Sequence, residues 1–305
     1  MSVSTTQSIT TECIHVNVRS ETGTLKTVVM CWANPFPLSL NLITVTSILD
    51  ASVREQLRHN RWKRYRHEKV REQQQRLSDV FHDHGVSVLF LDNLPGIGTQ
   101  HYTRDIGFSI DDAFFVARMA TRYRASEQRA LYSLLPRLSK VVQLEHGRIE
   151  GGDVLLHDDK VLVGLGEATD KEGVDALRRK LGELGSPREV ITIPFAHRGV
   201  IHLDTKFNIV GKNVALFARK SFQPDTIRWF ETHFDLIEAT DEETSGIEIN
   251  TFALGDDRLI VQEKSERLTR RIQQKGLTPI PVDYSEVTCL PGAFRCTTLP
   301  LEREA

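Results

Sequence analysis

Cysteine is scarce in this chain. Four residues in 305 are Cys13, Cys31, Cys289 and Cys296. They are widely scattered, and no two form a Cys-x-x-Cys pair. The density is far below that of a disulfide scaffold, so neither a disulfide framework nor a zinc or redox motif is indicated. A reduced, cytoplasmic setting is the default expectation. Long apolar runs are absent too. None reaches the roughly eighteen residues that a membrane-spanning helix needs. Residues 1–11 are rich in Ser and Thr and lack an apolar core, so they read as no secretory signal. Residues 1–20 are expected to form a mobile tail. Charge of one sign is also missing: 39 Lys and Arg face 41 Asp and Glu, for a net charge of −2. Nothing global steers the chain to nucleic acid or membrane. No linker or low-complexity stretch divides it, so residues 21–305 read as one domain.

What is present is an alternation of strand and helix signals. Residues 25–32 form a β-branched run that ends at Pro35 and Pro37. Helical character extends over 41–91, with Val70, Leu77, Val80 and Phe81 on one face. Gly85 stops it, and 86–91 reads as a strand. Further strands are expected at 110–119 and 190–194, and helices at 126–138 and 171–184. Hairpins are expected at 154–165 around Asp158-Asp159-Lys160 and at 201–218 around Gly211-Lys212-Asn213. A third joins 252–254 to 259–262 around Gly255-Asp256-Asp257. A helix at 265–275 and a strand at 278–282 follow. The recurring unit is hairpin, helix, strand, which supports an α/β class with repeated units. Residues 54–76 are rich in Arg, Lys and His with Trp62 and Tyr65 interleaved. Glu55, Glu68 and Glu72 break up that charge, so a solvated helix face is a better reading than a nucleic-acid patch.

Four polar clusters stand out: Thr103-Arg104-Asp105, Glu150-Gly151-Gly152-Asp153, His202-Leu203-Asp204-Thr205 and Arg295-Cys296-Thr297-Thr298-Leu299-Pro300. One thiol, one histidine and several carboxylates suit covalent chemistry on a cationic substrate. The thiolate attacks, the histidine moves protons and the carboxylates hold positive charge. His202 and Asp204 lie two apart in an expected strand, which puts both on one face.

In this order the clusters resemble the guanidino-group modifying enzymes, over about residues 25–301. That superfamily comprises arginine deiminases, dimethylarginine dimethylaminohydrolases and amidinotransferases. The resemblance implies the pentein fold, a five-fold pseudosymmetric α/β propeller with its site in a central channel. It implies a small guanidino substrate and no metal or organic cofactor, and it leaves homo-oligomer formation open. Only 45 positions separate Asp105 from Glu150, too few for the helical insertion of bacterial deiminases.

The resemblance also assigns roles. Cys296 is the nucleophile and His202 the general acid and base, with Glu150 on a substrate nitrogen and orienting His202. Asp105 and Asp204 hold the guanidinium. Arg124 matches the position that binds a substrate α-carboxylate, and Arg295 is a further substrate-binding candidate. Cys13, Cys31 and Cys289 are read as buried structural cysteines. Relatives in the dimethylaminohydrolase branch carry Lys where this chain has Asp204, which favours the deiminase or amidinotransferase branch. One departure stands out. Where relatives place a second carboxylate-binding Arg before a Thr, this chain reads Glu167-Ala168-Thr169. Arg198, Arg219 and Arg295 are the candidate substitutes. The expected activity is a cysteine-dependent hydrolase of a guanidino compound. The alternatives are an amidinotransferase and a non-catalytic binding relative.

Overall fold

A computed structural model describes residues 13–35 and 65–304. Among these residues there are five three-stranded sheets, each built alike. An antiparallel pair is followed by a helical segment and a third strand parallel to the middle one. The first such unit is β3 (Gly107–Ile110), β4 (Ala113–Val116) and β5 (Val141–Gln143). The second is β6 (Val154–His157), β7 (Lys160–Leu165) and β8 (Glu189–Pro194). The third is β9 (Phe207–Gly211), β10 (Val214–Phe217) and β11 (Asp235–Glu238). The fourth is β12 (Phe252–Gly255), β13 (Arg258–Gln262) and β14 (Thr278–Val282). The fifth joins the two ends of the chain: β15 (Leu299–Glu304) pairs antiparallel with β1 (Thr24–Met30), which pairs parallel with β2 (Ser87–Phe90). The expected α/β class holds, and the five sheets fit a five-fold repeat.

Local chemistry explains the units. Three hairpin tips carry Asp at positive φ: Asp111 at 53°, Asp158 at 48° and Asp256 at 50°. Aspartate tolerates this left-handed region because its short side chain bonds locally. Between the second and third strands runs a helix with one apolar face. In α1 (His67–Asp83) the buried positions include Val70, Gln74, Leu77 and Phe81. This is the three-to-four spacing of a core-facing stripe. Buried Gln74 is fully engaged: its Oε1 accepts from Ala33 N at 2.8 Å and its Nε2 donates to Cys31 O at 2.8 Å. In α3 (Lys171–Glu183), Asp170 caps the first turn by accepting from Gly173 N at 2.9 Å. Val174, Leu177 and Leu181 pack on the second sheet's core. Burying each such side chain contributes about 1.5–3 kcal/mol.

The structure corrects several expectations. The expected strand at 110–119 is the hairpin β3–β4. Its turn has no glycine, and Asp111 makes it instead. The expected helix at 126–138 is a run of 3₁₀ turns, Ser126–Ser133 and Leu135–Arg137, after the short α2 (Arg122–Ala125). Pro136 has no N–H to continue an α-helix. Strands β5, β11 and β15 had no sequence expectation, nor did two helices: α4 (Pro224–His233), with proline in its first turn, and α5 (Asp241–Ser245), with a capping box of Thr240 and Glu243. The last helix, α6 (Glu266–Gln274), agrees with expectation.

Of the expected tail 1–20, residues 1–12 lie outside the described residues. Residues 13–20 are docked: Ile14 bridges Leu138, Val18 bridges Asp111, and Val16 and Val18 are buried. Residues 41–64 of the long expected helical stretch also lie outside the described residues. The described part of the basic stretch is ion-paired on its surface, Lys69 with Glu72 and Arg76 with Asp283. No helix among the described residues is long and apolar enough to cross a membrane.

Candidate active site

The segment entering the first strand of each unit carries the chemistry. Asp105 lies in the 3₁₀ turn Thr103–Ile106 before β3, and Glu150 precedes the turn Gly151–Asp153 before β6. His202 and Asp204 flank the start of the turn Leu203–Thr205 before β9. Cys296 precedes β15, and Asn250 precedes β12. Five repeated entries thus carry six polar side chains, two of them at the entry to β9. The expected strand at 201–210 is corrected here: β9 begins only at Phe207, so His202 and Asp204 converge through a turn and not by strand alternation.

His202 is the hub. Its Nε2 lies 3.0 Å from Glu150 Oε2 and its Nδ1 3.4 Å from Asp105 Oδ1. Burial pushes its pKa down, but Asp105, Glu150 and Asp153 outweigh burial and raise it to about 10. His202 is therefore an imidazolium at neutral pH. Glu150 is fixed from its other oxygen, which accepts from Ala120 N at 2.8 Å. The two glycines of the Glu-Gly-Gly-Asp motif serve close approach. A Cβ on Gly152 would meet the His202 ring at 2.6 Å, and one on Gly151 would meet Arg104 O at 2.1 Å. Asp153 ties the two loops together, accepting from Leu203 N at 2.8 Å and Thr169 Oγ1 at 2.6 Å. Burial pushes its carboxyl up to about 7.

Each guanidinium-binding candidate carboxylate has an arginine behind it. Asp105 Oδ2 takes Arg124 Nη1 at 2.6 Å, and Asp204 Oδ2 takes Arg295 Nη1 at 3.0 Å. The other oxygens, Asp105 Oδ1 and Asp204 Oδ1, are buried and accept no hydrogen bond among the described residues. Burial raises the Asp204 carboxyl, against the pull of Arg295 and His202. Cys296 is buried beside these carboxylates. Burial, then Asp204 and Asp105, push its thiol well above the ordinary range, so the sulfur is a neutral thiol before a cation arrives.

Two expected substrate contacts are placed differently. Arg295 is 1% exposed, and its guanidinium is taken by Asp204, by Glu21 at 3.0 Å and by Val154 O at 2.9 Å. It backs Asp204, with its guanidinium already engaged. Arg124 does reach the site, but Glu127 grips it through Nη2 at 2.8 Å and Nε at 3.2 Å while Asp105 holds Nη1. Glu127, Asn250 and Glu21 were not anticipated. Glu127 was legible as an acid three residues after Arg124. Asn250 was legible from the repeat, because it stands where other units carry site residues. Glu21 had no sequence signal. Among the other cysteines, Cys31 and Cys289 are buried as expected, while Cys13 is exposed because it lies at the edge of the docked segment. Ala168 is buried beside Thr169, which donates to Asp153 and accepts from Glu150 N at 3.2 Å. Of its candidate substitutes, Arg219 is paired with Glu231 and Glu238 on the surface.

Asp105, Glu150 and His202 each present a ligand atom within 4.8 Å of the others, a spacing that could hold a metal ion. His202 would first have to lose a proton that two carboxylates hold. The donor set therefore suits an organic cation that hydrogen-bonds to carboxylates better than a metal.

The site thus gathers a buried thiol, an imidazolium between two carboxylates and a buried Asp204 Oδ1 that accepts no hydrogen bond among the described residues. The family model described as arginine deiminase matches residues 3–244. The chain belongs to the arginine deiminase family, within the guanidino-group modifying enzymes. The match ends before Asn250 and Cys296. The chain is 28% identical over 286 residues to the uncharacterized protein YkgA of Bacillus subtilis, covering 93% of this chain and 94% of YkgA. It is 26% identical over 252 residues to an arginine deiminase of Mycobacterium avium, covering 70% of this chain and 62% of that enzyme. Solved structures share the fold. The amidinotransferase SxtG of Microseira wollei, in a saxitoxin biosynthetic pathway, superposes with TM-score 0.75 at 15% identity, over 95% of this chain and 98% of SxtG. Dimethylarginine dimethylaminohydrolase of Pseudomonas aeruginosa, complexed with citrulline, superposes with TM-score 0.73 at 19% identity, over 91% and 99%. The resemblance drawn from the motifs is thereby confirmed at the level of the family.

Proposed function

We propose that this chain hydrolyses a C–N bond of a guanidino compound through a covalent amidino intermediate on Cys296. The observation that carries this reading is the buried Asp204 Oδ1, which accepts no hydrogen bond beside the thiol, with Asp105 Oδ1 across from it facing only the His202 ring at 3.4 Å. A guanidinium is planar and offers N–H groups to paired carboxylates. In this reading the five units surround one channel as the blades of a propeller, and the substrate enters along it.

The steps follow from the charges. A cation bound by Asp105 and Asp204 offsets the two carboxylates that hold the thiol up, so the sulfur loses its proton to solvent and attacks the guanidinium carbon. The C–N bond then breaks, and the His202 imidazolium gives its proton to the departing nitrogen. Neutral imidazole next takes a proton from water as that water attacks the amidino carbon. The C–S bond breaks and the thiolate is regenerated. An amine in place of water would make the same intermediate an amidinotransferase step. The test is a screen of guanidino compounds with detection of ammonia, amine and urea products. A ureido product with ammonia or amine supports hydrolysis; turnover only when an acceptor amine is added replaces it with transfer.

Two expected results follow. Asp105→Asn and Asp204→Asn each remove one charged partner of the guanidinium, worth about 1.5–3 kcal/mol. Steady-state kinetics should show kcat/KM lower by roughly ten- to hundredfold. Wild-type values in both variants would remove the carboxylates from the site. The second concerns specificity. With Ala168 at one anchor position and Arg124 engaged by Glu127, free arginine should be a poor substrate relative to guanidines with an altered α-end. Ala168→Arg should improve arginine turnover. Efficient wild-type turnover of arginine, comparable with the best alternative, would defeat this expectation.

A further inference from the structure

Asn250 joins the loops that carry the proposed nucleophile and one guanidinium carboxylate. It is 1% exposed and stands at the entry to β12, in the unit that supplies no titratable group to the site. Its Oδ1 accepts the backbone N–H of Cys296 at 3.1 Å. Its Nδ2 donates to the backbone carbonyl of Asp204 at 3.2 Å. One planar amide thus spans two neighbouring units at once. Other bonds join the same loops: Arg104 donates from N to Cys296 O at 3.1 Å and from Nε to Arg295 O at 3.3 Å, and Arg295 Nη1 donates to Asp204 Oδ2 at 3.0 Å, but none of these takes the Cys296 N–H. A carboxamide suits this place, because one side of it accepts while the other donates. Both groups it satisfies are main-chain atoms of buried residues, where an unmet partner is costly.

We infer that Asn250 is a positioning residue, an amide clamp that fixes the Cys296 sulfur relative to the Asp204 carboxylate. The inference rests on the proposed site of Cys296 and Asp204, but its test needs no turnover. Without the clamp, Cys296 would no longer be held in its buried place against Asp204 and Asp105; burial first, and then these two carboxylates, keep its thiol protonated.

The experiment is the pH profile of alkylation of Cys296 by iodoacetamide in the full chain, followed by peptide mass spectrometry. The midpoint reads thiol ionisation; the plateau reads access. Asn250→Ala should lower the midpoint by about one pH unit, a tenfold gain in thiolate at fixed pH below it. Asn250→Asp keeps the size and an acceptor but sets a carboxylate against Cys296 and an acceptor against the Asp204 carbonyl. Its midpoint should rise. Should the alanine variant fail to fold, the aspartate variant decides: a midpoint above wild type supports the clamp. A purely structural role for Asn250 would lower the melting temperature and leave the midpoints unmoved. Midpoints equal to wild type in folded variants overturn the inference. If Cys296→Ser retained activity while these midpoints moved, the proposed function would fail and the clamp would stand.

Discussion

Cys296→Ser should abolish turnover, with a loss of about four orders of magnitude or more, the scale seen when an enzyme's covalent nucleophile is removed. Serine keeps the shape of the side chain, so the hydrogen bond from Cys296 N to Asn250 and the packing of Thr297 and Thr298 should survive. The melting temperature should therefore stay close to wild type while activity disappears. The hydroxyl cannot replace the thiol here. The proposed base, His202, is already protonated, its pKa raised to about 10. A thiol is intrinsically far more acidic than an alcohol, so a bound cation that offsets Asp204 and Asp105 can ionise it where an alcohol would still need a free base. Retention of substantial activity by the variant would move the nucleophile elsewhere, with Cys289 the first candidate.

The second large effect is at His202. His202→Ala should slow turnover by roughly two to four orders of magnitude, the range of a general acid and base. It also removes the cation that Asp105 and Glu150 share at 3.4 and 3.0 Å. This has a pH signature. The folded pKa is raised above the unfolded value near 6.5, to about 10. The charged histidine thus stabilises the fold fully below pH 6.5 or so, and that contribution is lost as pH rises through about 10. Thermal melts should show wild type more stable than His202→Ala near neutrality, with the gap closing toward alkaline pH. Near-normal kinetics for the variant, or a gap independent of pH, would take His202 out of this role.

The candidate site was legible because its residues lie in short local motifs. Glu150-Gly151-Gly152-Asp153 could be read because glycine is what lets backbone approach the His202 ring. Repeated hairpins could be read where Gly or Asp-Asp marks the tip. Illegible were the features that depend on which loops meet in space. Nothing local says that Arg295 turns back to Asp204 and Glu21, since Glu21 lies far away in sequence and beside a segment expected to be mobile. Docking of residues 13–20 depends on scattered bridges to Leu138, Asp111 and Glu302, which no periodicity announces. Arg124 was read as a free anchor because sequence order does not reveal how many acids surround a cation. The turn holding His202 and Asp204 was mistaken for strand because both residues are extended or polar neighbours of a true β-branched run.

The covalent intermediate is the central claim, and trapping it is the most direct measurement. The wild-type chain would be mixed with a turned-over guanidino compound, quenched in acid within the steady state and digested for mass spectrometry. The Cys296 peptide should carry the mass of the amidino group, with its substituent where the substrate keeps one, and the label should vanish in Cys296→Ser. An unmodified Cys296 during active turnover, or label on Cys289 instead, would contradict the account.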